Sequence, residues 1–103
     1  MRATDARKLI RRLLEEGKFV SPGDKTHARK EMNKDGLTDV DCVNVLRAGV
    51  VREAEWENGG WRHRVETQKM AFVVTFDPEP ERMPADDEEL GDLELIVVTG
   101  MKL

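Results

Sequence analysis

The hydrophobic period changes at Gly49, and that change limits the fold more than any other feature of this 103-residue chain. Before it, apolar residues recur at helical spacing; after it, they alternate as in strands. Ala6, Leu9, Ile10, Leu13 and Leu14 make one helical stripe. Thr4 is its expected N-cap, Asp5 suits the first turn and Gly17 the C-terminal turn. A turn at Ser21-Pro22-Gly23-Asp24 leads to a short helix over about 25–34 with a thin apolar edge, Ala28 and Met32. Asp35-Gly36 then turns the chain into a third helix, capped by Thr38 with Asp41 three residues on. Val40, Val43 and Leu46, flanked by Cys42 and Val45, are its expected buried face, which makes Cys42 a core residue rather than a nucleophile.

Past Gly49, Val50 to Glu57 reads as a strand, Asn58-Gly59-Gly60 as a hairpin turn and Trp61 to Thr67 as the partner strand. Met70 to Phe76 is apolar on both faces, as a central strand would be. Leu93 to Met101 is the last strand. Between them, Asp77 to Asp92 holds three prolines and eight acids, too long for a simple hairpin; a mobile acidic loop is expected over about 77–92. The expected fold is a single α+β domain, three helices packed on a four-stranded, mainly antiparallel sheet, with no sheet strand before residue 20.

Charge is distributed unevenly along the chain. Residues 1–34 carry ten Lys/Arg against five Asp/Glu, and residues 77–103 carry two against nine. A basic third and an acidic third can bind different partners or each other. No apolar run reaches the roughly 20 residues of a membrane span, and the charged N-terminal stripe lacks a signal-peptide pattern. A cytoplasmic protein is expected. Cys42 is the only cysteine and there are two histidines, so no all-Cys/His zinc site can form. No P-loop, dinucleotide fingerprint or serine nucleophile motif is present.

His27-Ala28, Met32, Gly36-Leu37-Thr38, Asp41, Val45-Leu46 and Gly49, followed by Trp61-Arg62-His63-Arg64-Val65 and Ile96-Val97-Val98-Thr99, resemble the pattern of a bacterial family of unknown function, DUF forty-two fifty-eight. The resemblance spans roughly residues 25–102 and its motifs are mostly structural. That family is similar in layout to RelE-like and MqsR-like toxins. The resemblance implies a RelE-like layout and a toxin of a toxin–antitoxin pair, binding RNA and cleaving it without metal or cofactor. Its partners would be RNA and an antitoxin-like protein, with no DNA and no membrane. Asp35 stands where the family often has arginine, and the chain lacks the tyrosine that RelE-like enzymes often use. A non-catalytic protein-interaction domain of the same fold is the alternative.

Metal-free RNA cleavage needs a base for the 2′-hydroxyl, cations for the phosphorane and an acid for the leaving oxygen. Histidine, with an ordinary pKa of about 6.5, suits the proton steps, and arginine's fork suits the phosphate. The candidate catalytic residues are His27, Arg62 and Arg64; Lys25, Arg29, Lys30 and Lys102 are the candidate RNA-binding residues. His27 has a second reading as a residue that merely caps or packs at the helix start. Strand alternation puts Arg62 and Arg64 on one face and His63 on the other with Trp61 and Val65, which makes His63 a partly buried structural residue. Trp56 and Trp61 suit a cross-strand pair better than base stacking. Asp86-Asp87-Glu88-Glu89 lacks a calcium-loop pattern, and no metal site is expected.

Overall fold

The computed structural model describes all residues, 1–103. Three α-helices, α1 (Ala3–Glu15), α2 (His27–Lys34) and α3 (Asp39–Ala48), cover one face of a mostly antiparallel sheet. The strands are β1 (Phe19–Val20), β2 (Val50–Val51), β3 (Glu55–Glu57), β4 (Gly60–Glu66), β5 (Met70–Asp77) and β6 (Glu94–Lys102). Their order is β1-β6-β5-β4-β2, with β3 also paired to β4.

Helix ends follow local chemistry. Gly17 and Gly36 both take positive φ, +69° and +73°, where a side chain would be strained. After α2, the Gly36 and Leu37 amides donate to the Asn33 and Met32 carbonyls, closing the helix in a Schellman motif. Met32 and Leu37, the two apolar residues that such a motif brings together, are both buried. The next residue, Thr38, already caps α3: its hydroxyl accepts from the Asp41 amide, and the Asp41 carboxylate accepts from the Thr38 amide. Two helices are thus joined with almost no loop. The Thr4 cap is not used; α1 begins two residues earlier than that cap implies, at Ala3, with Arg2 in the cap position and no side-chain cap bond. The buried face of α3 is also narrower than its apolar content suggests. Cys42, Val45 and Leu46 are buried at helical spacing, whereas Val40 is 69% exposed because it points away from α1 and the sheet.

The sheet has six strands rather than four, for two reasons. First, Phe19–Val20 lies parallel to β6, held where the Leu95 amide donates to the Lys18 carbonyl, so a strand does precede residue 20. Two residues carry too little pattern to be read from sequence. Second, the expected Val50–Glu57 strand is broken. Val51 faces Val65 but Glu55 faces Arg62, four residues forward against three back, so one residue is extra. The bulge falls within Arg52, Glu53 and Ala54, and it changes which face later residues occupy. A second bulge places Val98 between the pairs Val73–Thr99 and Val74–Val97.

One apolar cluster forms the core. Leu9, Ile10 and Leu13 of α1, Met32 of α2 and Leu46 of α3 meet Val65, Phe72, Val74, Leu95 and Val97 of the sheet. Truncating any one of the large buried aliphatic residues to alanine would cost about 2–5 kcal/mol. The acidic segment after β5 is anchored to this core. Leu90 and Leu93 are buried in it, Arg12 donates to the carbonyls of Ala85 and Glu88, and Lys18 donates to that of Gly91. The basic and acidic thirds therefore do meet, but Arg12 and Lys18 bind the loop's backbone there rather than its carboxylates.

Candidate functional site

Cross-strand register assigns each side chain to a face. His63 lies opposite Val74 and Val65 opposite Phe72, all within the helix-covered core. Arg64 lies opposite Val73, and Val73 opposite Thr99, on the other face, where no helix packs. The sheet therefore separates the residues expected to form one RNA surface. His27, Lys25, Arg29 and Lys30 lie at or near α2 on the covered side, and Arg62 and Arg64 lie on the open side. Alternation in β4 forces this, since α2 contributes Met32 to the cluster beneath the opposite face.

The individual residues are equally informative. The His27 side chain is 88% exposed, and its Nε2 lies 3.9 Å from the Glu31 carboxylate. Arg29 is only 12% exposed and committed: it donates to the Pro22 carbonyl and to Asp39 at 2.8 Å, tying the start of α2 to that of α3. Lys25 and Lys30 are exposed and form no ion pair. Lys102 pairs across from Met70 at the far end of β6, with β5 between it and β4, so it does not join the two arginines.

The open face has its own arrangement. Val73, Thr99 and Met101 floor a hollow of about 350 Å³. Arg52, Arg62 and Arg64 rim it together with Glu53, Glu55 and Glu57. Glu66, beside them on β4, joins two of the arginines, lying 2.6 Å from Arg52 and 2.7 Å from Arg64. Hydrogen bonds from Arg52, and then from Arg64, hold its carboxyl below the ordinary carboxylate range. Arg64 is thus already bound to a carboxylate; Arg62 forms no ion pair. Sequence reading missed the acidic half of this rim. Its signal was present in Glu53, Glu55 and Glu57, spaced by two along an extended segment.

His63 is 2% exposed, its Nδ1–H donating to the Arg52 carbonyl at 3.1 Å and its ring edge-on to Phe76. Trp56 and Trp61 form the expected cross-strand pair, with ring centroids 5.3 Å apart and nearly perpendicular planes. Cys42 is sealed in the core, and burial followed by the charge of Asp39 pushes its thiol up to about 12. No group of three or more His, Cys, Asp or Glu side chains is placed to hold a metal ion. No helix is long and apolar enough to cross a membrane. No family model, no curated protein and no solved structure matches the chain.

Proposed function

We propose that this chain is a non-catalytic protein-interaction domain that docks through the open face of its sheet, and that the occupant of that face is a second copy of the chain. One observation carries the reading: around a floor of Val73, Thr99 and Met101, three arginines share a rim with three glutamates while Glu66 bridges two of the arginines, so the face bears both signs in near balance. A nucleic-acid surface would not set a glutamate against each arginine, because each carboxylate repels the phosphates that the arginine attracts. A twofold interface needs a patch that complements itself. Here Arg62 and Arg64 of one copy can meet Glu55 and Glu57 of the other across Val73 and Met101. Sedimentation equilibrium tests this. The wild type should give a concentration-dependent dimer, and Val73→Glu with Met101→Glu should give a folded monomer. A wild-type monomer at all concentrations contradicts the reading, as does a dimer unaffected by the double substitution.

A RelE/MqsR-like toxin of the DUF forty-two fifty-eight type, acting on RNA, is the second reading. It keeps one specific support, the exposed Lys25, Lys30 and Lys34, which no carboxylate neutralises. RNA would then lie on the helix side with His27, and Arg62 and Arg64 would take no part. Anisotropy of a labelled single-stranded RNA at low salt separates the readings. Binding lost in a Lys25→Glu, Lys30→Glu, Lys34→Glu variant supports the second, and its absence in the wild type removes it.

A further inference from the structure

A second hollow, of about 220 Å³, opens beside the hairpin of β3 and β4. Its inner wall is His63 and Phe76, both buried; Trp61, Glu53 and Glu79 stand at its exposed mouth. Because Nδ1–H of His63 is given to the Arg52 carbonyl, the neutral ring presents Nε2 as an acceptor. Nε2 has no hydrogen-bond partner, yet no sealed side-chain nitrogen or oxygen in the molecule lacks one, so Nε2 looks into the hollow. The polar side chains at this space are thus one acceptor, two carboxylates and one donor, the Trp61 indole N–H. No lysine or arginine side chain lines it, two aromatic rings do, and Met1, which carries the α-ammonium, stands at its wall as well.

We propose that this hollow binds an alkylammonium or alkylguanidinium group. The cation donates to His63 Nε2, lies between the Glu53 and Glu79 carboxylates, and packs its alkyl stem on Trp61, whose ring also attracts positive charge. The volume suits one such group and a short stem. The hollow is on the helix-covered side and shares only Glu53 with the open-face rim, so the proposal stands apart from self-association. The cation can come from a free small amine or from a lysine or arginine side chain of a polypeptide.

The test titrates the full chain with n-butylguanidinium, n-butylammonium and, as a neutral control, butan-1-ol. The readouts are tryptophan fluorescence and the imidazole nitrogen resonances of His63. Saturable changes at Nε2 with both cations and not with butanol are expected. Glu79→Gln, on an exposed loop, should weaken the cations about 2- to 5-fold, the range of a solvent-exposed charge pair. His63→Phe keeps a ring against Phe76 and should abolish the response. A capped pentapeptide with a central lysine that binds more tightly than butylammonium identifies a polypeptide source; equal or weaker binding identifies a free amine. Equal binding of butanol, no saturable response at His63, or cation binding unchanged in Glu79→Gln overturns the proposal.

Discussion

Arg62 and His63 are consecutive in the chain and lie on opposite faces of one sheet. The imidazole closes the helix-covered side, where it holds the Arg52 carbonyl, and the guanidinium stands on the open side opposite Glu55. His27, the histidine expected to act as the base, stands at the start of α2 on that same helix-covered side, and a base on one side of a sheet and a phosphate clamp on the other cannot act on one bond. This relationship turns the reading of the site away from metal-free RNA cleavage by a combined His–Arg set and toward a surface made by the open face alone.

Arg12 holds the acidic loop through carbonyls rather than carboxylates, so its loss should free the loop without disturbing the sheet. Arg12→Ala is expected to speed amide exchange across residues 85–93 while β5 and β6 keep their protection. It should lower stability by about 1.5–3 kcal/mol, the range for hydrogen bonds to a charged group. Unchanged exchange in the loop would show that Leu90 and Leu93 anchor it unaided.

The raised thiol of Cys42 makes a kinetic prediction. A disulfide reagent at pH 8 should react with the native protein only as fast as the protein opens, and at once in denaturant. The linkage has a definite sign. The folded pKa of about 12 lies above the ordinary value of 9.0, so this contribution to stability is complete below about pH 9 and falls as pH rises toward 12. Rapid native labelling at pH 8 would contradict the burial.

Glu66 titrates in the opposite sense. Its carboxyl is held low by Arg52 and Arg64, so its contribution is present above the ordinary carboxyl value of about 4.3 and lost as pH falls through the lower folded value. Carbon NMR should place its midpoint below the ordinary range. Arg52→Ala should raise that midpoint more than Arg64→Ala does, because the Arg52 hydrogen bond is the larger cause. An ordinary midpoint in the wild type would dissolve the three-residue cluster.

Gly100 lies directly across from Phe72, and an added Cβ would come 2.6 Å from the ring carbon Cδ1. Phe72 is fully buried, so its ring has core side chains rather than solvent around it. Gly100→Ala should therefore cost about 1–3 kcal/mol in a denaturant titration, the usual range for overpacking. A neutral effect would mean that the ring has room to move.

Features legible in the sequence are those whose causes lie within a few residues. The Thr38–Asp41 capping box, the glycine turns at Gly17 and Gly36, the core place of Cys42 and the opposed faces of His63 and its arginine neighbours all follow from local spacing. Distant partners decide the rest. Phe19–Val20 is a strand only because β6 arrives more than 70 residues later. The bulge after Val51 depends on how the hairpin register meets β2, and it brings Glu55 opposite Arg62. Val40 looks like a core residue until the packing of α3 turns it to solvent. Arg29 looks like a phosphate ligand until the turn into α3 brings Asp39 to it.

The most direct test of the central claim is a charge-exchange mixture, read by sedimentation. Arg62→Glu with Arg64→Glu makes one variant, and Glu55→Arg with Glu57→Arg makes the other, both checked for folding by circular dichroism. A self-complementary open face predicts that each variant alone is monomeric and that the two mixed together form a one-to-one dimer. Variants that dimerise as well alone as the wild type, or folded monomers that stay monomeric when mixed, would contradict it.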